Sequence, residues 1–405
     1  MNVFHNNEGS FYLPGGFSFS SVAAGIKASG RLDLALVECC RETRAAAVFT
    51  KNRVIAAPLQ IGRVFLKAGR GNVRALIVNS GNANCATGAT GLRSCRRVCQ
   101  EAGHLLGVRT EEVFPSSTGI IGVPLPVERI LAKLPELVGQ RKETEEGVHQ
   151  FAQAIMTTDT RPKLASAAFR ARKGEIRILG IAKGSGMIHP RLATMLVYLF
   201  TDLAASSGDL KQFLIDACDQ TFNCISVDGD TSTNDTVLLL ASGKSGIRLK
   251  DPVVAKAFKN ALLGVCESLA EQIVSDGEGI QHVIRLAIEG AKGREEAMQV
   301  ARAIAHSALV KTAWAGADPN WGRILAAAGN SGAPVDPARV DIFIGDQQVC
   351  RKGTAHPFDE SKAHAHLSLP QCDIRVQLGR GGTSLRFLTT DLTAEYVRIN
   401  ADYST

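Results

Sequence analysis

Thr194 stands where a threonine has little reason to be unless its hydroxyl does chemistry. It closes the stretch Gly180-Ile181-Ala182-Lys183-Gly184-Ser185-Gly186-Met187-Ile188-His189-Pro190-Arg191-Leu192-Ala193-Thr194 and is followed by the apolar Met195-Leu196-Val197. The pattern reads as a strand ending in a Gly-x-Gly turn, a bend at Pro190, and a small residue with a threonine opening a second strand. A phosphate-binding loop does not fit, because Lys183 precedes its glycines and Gly-x-Gly-x-x-Gly breaks at His189. Asp228, Asp230, Ser232 and Asn234 imitate the start of a calcium loop, but Thr233 replaces the required Gly and Leu239 the closing Glu.

Other polar residues are ambiguous when taken alone. Ser116-Ser117-Thr118-Gly119-Ile120-Ile121-Gly122 is a polar turn whose glycine admits close backbone approach. Glu278, in Ser275-Asp276-Gly277-Glu278-Gly279, reads as a turn carboxylate, and Asn400 and Thr405 as a frayed tail. His364 and His366 alternate as on a strand and lack a carboxylate or cysteine partner at ligand spacing. Cys85 carries no signature of a nucleophile and reads as a buried thiol, and Trp314 and Trp321 as packing residues.

The run from Lys183 to Pro190, followed by Ala193-Thr194-Met195-Leu196, resembles the signature of the ornithine acetyltransferases, also called bifunctional glutamate N-acetyltransferases, of arginine biosynthesis. The resemblance continues through Gly25–Gly30, Thr50–Pro58, Val78–Gly88, Phe114–Gly122, Met156–Lys163, Asp228–Thr236, Asp318–Gly332 and Ile399–Tyr403. It departs at Arg191-Leu192, where Asn or Ser and Met are more usual.

What the resemblance implies is specific. Thr194 attacks the Ala193 carbonyl, and the chain divides into 1–193, with the oxyanion hole and a substrate lysine, and 194–405, with the nucleophile, a substrate glutamate and the C-terminal tail. The freed α-amine, with an ordinary pKa of about 7.7–8.0, serves as base for its own hydroxyl. Thr118 and Gly119 form the oxyanion hole, and Thr157, Lys183, Thr194, Glu278, Asn400 and Thr405 bind substrate. Acetyl passes from N2-acetyl-L-ornithine to Thr194 and then to L-glutamate, in a ping-pong exchange. A heterotetramer of two copies of each fragment is expected, with no metal, nucleotide or redox cofactor. Whether acetyl-CoA is a second acetyl donor stays open. Two rivals share the self-cleavage: an amidohydrolase or aminopeptidase that gives the acyl group to water, and a self-processing interaction protein with no turnover.

These groups need a scaffold. Ala46–Thr50, Arg74–Val78, Ile176–Ala182, Thr194–Phe200, Thr236–Ala241, Ile280–Ile288 and Val340–Ile344 read as strands. Asp373–Leu378 and Thr383–Thr389, joined through Arg380-Gly381-Gly382, read as a hairpin. Stripes at spacings of three and four mark helices from Gly91 to Leu106 and over Val148–Ile155, Phe258–Leu269 and Ala297–Ala308. Charged runs at 141–147, 292–296 and 362–366 read as surface connections. Helices and strands mix without regular βαβ alternation, so the expected fold is a layered α+β sandwich of α/β/β/α type. Both fragments would supply sheet strands, with Thr194 opening a central one, and a smaller C-terminal α/β unit would follow.

Composition sets the outer bounds. The 405 residues are 45% hydrophobic and only 5% aromatic, with 39 glycines, so close layers of small aliphatics are expected rather than a core of rings. A net charge of +7 without long basic runs argues against nucleic acid and suits anionic small substrates. Ten cysteines without a CxxC pattern suggest free thiols in a reducing cytoplasm. No stretch approaches the length of an apolar membrane span, and the N-terminus lacks the pattern of a secretory signal.

Overall fold

The structure is a computed structural model that describes residues 3–5, 11–172, 174–188 and 195–402. Its centre is a six-stranded sheet. From edge to edge the strands are Val3–His5, Lys163–Ala171, Gly174–Lys183, Leu196–Thr201, Thr236–Ala241 and Arg44–Phe49. Every residue of Leu196–Thr201 and Thr236–Ala241 is buried, as an uninterrupted apolar run demands when both faces of a strand are covered. One face carries the helices Ser207–Gln220 and Pro252–Val274. Gly180 lets the second helix settle, since a Cβ there would lie 2.7 Å from side-chain carbons of Val265 and Leu269.

The opposite face packs on a four-stranded sheet ordered Phe17–Val22, Leu34–Cys39, Ala75–Asn82 and Val113–Ile120. The helices Ala57–Ala68, Gly88–Leu106 and Val127–Gly139 cover the outside of that sheet. Helix, sheet, sheet and helix thus form the four-layer sandwich expected. Strands from before and after position 194 share the central sheet, with Leu196–Thr201 pairing antiparallel to Gly174–Lys183 and parallel to Thr236–Ala241.

A second unit of sheet and helices follows, as expected. Its six strands are ordered Thr354–Ala355, Gln347–Arg351, Asp341–Ile344, Gln371–Gln377, Val283–Ala291 and Thr383–Thr390. Helices Arg294–Ala305, Ala308–Ala315, Trp321–Gly329 and Glu360–Leu367 pack on one face around the buried Trp314, and Trp321 packs partly buried against the same cluster.

Two expectations need correction here. Gln371–Gln377 and Thr383–Thr390 are not a hairpin, because Val283–Ala291 lies between them, parallel to the first and antiparallel to the second. The connection crosses the end of that third strand, where the Arg380 and Gly381 N–H groups donate to the Gly290 carbonyl at 2.7 and 2.8 Å. A Cβ on Gly381 would stand 2.4 Å from the Ala291 oxygen, so this glycine serves the crossing rather than a tight turn. Residues 362–366, with His364 and His366, are neither strand nor connection but part of the helix Glu360–Leu367. Asp359 caps it, and Ala363 and Leu367, one turn apart, supply its buried side.

Smaller shifts concern boundaries. The described central strand begins at Leu196, and Thr194 lies outside the described residues. The charged runs at 141–147 and 292–296 lead into the helices Glu145–Ala154 and Arg294–Ala305. All ten cysteines are free and all but Cys40 are buried, Cys85 among them. No helix among the described residues is long and apolar enough to cross a membrane.

Candidate active site

The site forms where strand ends of the two sandwich sheets meet two turns and the last helix. Lys183 ends its strand directly opposite Leu196 in the antiparallel register, which places it beside the chain two residues beyond Thr194. The lysine is 3% exposed, and its Nζ donates to Thr118 Oγ1 and Thr157 Oγ1, both at 2.9 Å. An ammonium can only donate, so both hydroxyl oxygens accept and their own protons remain to be donated elsewhere.

Thr118 and Gly119 lie at the end of Val113–Ile120, where the parallel pairing with Ala75–Asn82 becomes irregular. Gly119 has φ +128°, and a Cβ there would sit 2.3 Å from Gly81 C and 2.5 Å from Asn82 N. Only glycine fits against that neighbouring backbone, and Gly119 itself lines the cavity.

Glu278 arrives from the turn after Pro252–Val274, its N–H donating to the Ser185 carbonyl at 3.1 Å. Gly186 makes room, because a Cβ would fall 2.4 to 2.6 Å from the Glu278 carboxyl atoms. Gly279, with φ +63°, lets the helix Ala394–Asp402 pass close, a Cβ there lying 2.4 Å from Tyr396 N. That helix brings Asn400, whose Nδ2 donates to Glu278 Oε2 at 2.9 Å.

Thr118, Gly119, Thr157, Lys183, Glu278 and Asn400 therefore line one cavity of about 300 Å³. Asp228, Asp230, Ser232, Asn234 and Tyr396 complete its wall. Two larger hollows, of about 540 and 670 Å³, lie elsewhere, between Thr90–Arg97 and Leu125–Arg129 and between the helix Pro252–Val274 and the second unit's sheet. Neither brings together the side chains singled out in the sequence. Ala193, Thr194 and Thr405 lie outside the described residues.

Beneath the cavity runs a buried ionic network. Lys163 Nζ lies 2.6 Å from Asp159 Oδ1 and 2.6 Å from Asp276 Oδ2, with the side chains of Lys163 and Asp159 fully buried. Asp159 also accepts from Thr157 N at 3.0 Å and Gly184 N at 2.7 Å, tying both flanks of Lys183 to the network. Burial alone would raise the Asp159 pKa, but Lys163 and Lys183 outweigh it and hold the carboxyl at about 2. Burial pulls the Lys183 ammonium below the usual lysine range, although the Asp159 carboxylate opposes the shift. Asp228 is pushed by burial up to about 6.

Such an arrangement suits a zwitterionic small molecule, with a cation and hydroxyls on one side and carboxylates on the other. No group of three or more His, Cys, Asp or Glu among the described residues is placed to hold a metal ion.

A model of the ArgJ family matches residues 18–405. The chain belongs to the ArgJ family. The arginine biosynthesis bifunctional protein ArgJ of Methylococcus capsulatus is 44% identical over 394 residues, covering 96% of this chain and 95% of the relative. The ArgJ protein of Thermus thermophilus is 45% identical over 393 residues, covering 97% of this chain and 99% of the relative. The crystal structure of an ornithine acetyltransferase of Mycobacterium tuberculosis, complexed with ornithine, is 36% identical, covers 47% of this chain and 98% of that one, and has a TM-score of 0.43. This ArgJ chain is an acyltransferase of arginine biosynthesis.

Several polar residues of this ArgJ site had no role in the sequence reading. Asp159 and Lys163 fall in the matched Met156–Lys163 stretch, and Asn234 and Asp235 in Asp228–Thr236, so family resemblance marked the segments without saying what they hold. Asp228, dismissed with the failed calcium loop, instead accepts from Met187 N, beside the turn that leads toward Thr194.

Proposed function

We propose that this chain cleaves itself between Ala193 and Thr194 and then carries acetyl from N2-acetyl-L-ornithine to L-glutamate on the Thr194 oxygen. The observation that carries the reading is the register of Lys183 against Leu196. It brings the lysine, the Thr118 hydroxyl bonded to it and Gly119 beside it to the end of the sandwich where Leu196, two residues beyond Thr194, begins its strand.

In this reading the freed Thr194 amine takes the hydroxyl proton as the oxygen attacks the acetyl carbonyl. Negative charge develops on the carbonyl oxygen, and Thr118 and Gly119 donate to it; losing one such donor costs about 10²–10³ in rate. Collapse expels ornithine, protonated by the same amine, and leaves acetyl-Thr194. Glutamate then attacks the ester through its α-amine, and the steps run in reverse. Lys183 and the Thr157 hydroxyl hold the α-carboxylate shared by both amino acids, while Glu278, steadied by Asn400, takes the ammonium. Thr405 is assigned to the same pocket.

Because two strands from after position 194 are hydrogen-bonded between strands from before it in the central sheet, the two fragments stay associated after cleavage, and either alone would expose sheet edges. The assembled form is two copies of each fragment, working in the cytoplasm on small molecules, without nucleic acid, membrane or a bound cofactor. Intact mass of the purified protein with and without N-acetylornithine tests the reading. The expected result is two fragments, with an acetyl group only on the one beginning at Thr194. With glutamate added, acetylglutamate should exceed acetate; acetate as the main product would make the protein a hydrolase. Acetyl-CoA in place of acetylornithine decides the question of the second donor.

A further inference from the structure

We propose that Asn234 and Asp235 are positioning residues that lock the oxyanion turn and the start of the nucleophile's strand into one fixed relation. The inference rests on Thr194 being the nucleophile. The two residues are adjacent in the chain, 4% and 0% exposed, and immediately precede the strand Thr236–Ala241. Each grips a different sheet of the sandwich.

Asn234 uses both N–H bonds of its amide. Nδ2 donates to the Ala83 carbonyl at 2.7 Å and to the Ser117 carbonyl at 2.8 Å, while Thr233 Oγ1 donates to Asn234 Oδ1 at 2.6 Å and fixes which way the amide faces. The Ser117 carbonyl and the Thr118 N–H belong to one planar trans peptide and point in opposite directions. Holding the carbonyl therefore sets the orientation of the peptide that carries Thr118, and with it the Cα from which the Thr118 hydroxyl projects. No side chain with acceptors in place of the amide NH2 could do this, since two carbonyl oxygens converge on it.

Asp235 holds the other partner in the reaction. Its Oδ1 accepts from Met195 N at 2.9 Å, and that nitrogen is bonded directly to the Thr194 carbonyl carbon. The Thr236 N–H donates to the Met195 carbonyl at 3.2 Å, so Met195 is clamped through both of its backbone groups. Burial pushes the Asp235 carboxyl well above the usual carboxylate range, while the Met195 N–H that it accepts pulls the other way. A dipeptide with one foot on the oxyanion turn and the other on the residue after Thr194 fixes the approach of hydroxyl to carbonyl, where errors of an ångström are costly.

The test compares Asn234→Ala, Asn234→Asp, Asp235→Ala and Asp235→Asn. It reads kcat per mole of chain carrying a free Thr194, by intact mass, together with KM for N-acetylornithine. Asn234→Ala and Asp235→Ala should lower kcat about 10²-fold, as displacing an oxyanion donor or nucleophile does, with KM within about 3-fold of the parent. Asn234→Asp should lose at least as much as Asn234→Ala. Asp235→Asn keeps an oxygen acceptor for Met195 and should recover most of the loss. The inference is overturned if Asn234→Ala keeps the parent kcat, if the loss falls on KM alone, or if Asp235→Asn is no better than Asp235→Ala. Should Asp235→Ala fail to fold, Asn234→Ala and Asp235→Asn still decide. Thr194→Ala keeps the two readings apart: cleavage and turnover in that variant sink the nucleophile, whereas parent-like kcat in the Asn234 and Asp235 variants sinks only their role.

Discussion

Lys183 donates a hydrogen bond to Thr118, Nζ to Oγ1 at 2.9 Å, joining the group assigned to the substrate carboxylate to one assigned to the oxyanion. Removing the lysine should therefore damage binding and chemistry together. Lys183→Met is expected to raise KM for N-acetylornithine and lower kcat, for a combined loss of about 10³ or more in kcat/KM. Thr118→Val, which keeps the shape and the lysine, should lower kcat by about 10² with KM little changed. Steady-state kinetics on fully cleaved protein distinguishes the two patterns, and equal behaviour of the variants would deny the coupling.

Gly186 is expected to control Glu278. A Cβ at position 186 falls 2.4 Å from Glu278 Oε2, so Gly186→Ala must move the carboxylate and break its bond from Asn400. If Glu278 holds the substrate ammonium, KM for N-acetylornithine should rise about 10-fold, the equivalent of one charge-assisted hydrogen bond, with a smaller change in kcat. An unchanged KM would remove Glu278 from the binding site.

The layers of the sandwich were largely legible in the sequence, and their connections were not. Thr194–Phe200, whose described strand is Leu196–Thr201, and Thr236–Ala241 were legible as strands because burial on both faces leaves a continuous apolar run. The turn through Arg380–Gly382 looked like a hairpin because nothing local separates a loop that closes two strands from one that crosses the end of a third. At His364 and His366 the alternating polar residues drew the eye, while the helical signal lay in Ala363 and Leu367. In the site, Thr118, Lys183 and Glu278 came forward through resemblance. The Lys163–Asp276 pair did not, since its members are 113 residues apart and ion pairing leaves no periodic mark.

That pair should matter for stability. Lys163→Met leaves Asp159 and Asp276 buried without their shared cation, and should cost about 3–5 kcal/mol at neutral pH. In the parent, Asp159 has a folded pKa near 2 against an ordinary 3.8. Its stabilising contribution is present above pH 3.8 and lost as pH falls toward 2. In the variant this dependence should reverse, because protonating either carboxyl relieves the repulsion. Urea unfolding at pH 7 and near pH 4 measures the cost and its relief in the variant, and the same measurement near pH 2.5 the loss in the parent; a variant whose deficit grows on acidification would contradict the network.

Asp228 should show the opposite sign. Burial raises its folded pKa from 3.8 to about 6, so the group favours the folded chain below pH 3.8 and loses that contribution as pH rises through 6. Asp228→Asn removes the ionisation and keeps an oxygen that can accept from Met187 N or Asp230 N. Its advantage over the parent should be absent near pH 4, grow between pH 4 and 6, and level off above. Asp228 is half-buried at the cavity wall, so solvent screening limits the gain to about 1 kcal/mol. The carboxylate also faces the cavity that Glu278 shares, so losing it weakens the negative end of the pocket. Thermal midpoints across this pH range, paired with KM for N-acetylornithine at pH 7.5, should show a stabler protein that binds the ammonium end of its zwitterionic substrate less well. A midpoint difference that does not change with pH would mean that Asp228 ionises like an exposed carboxyl.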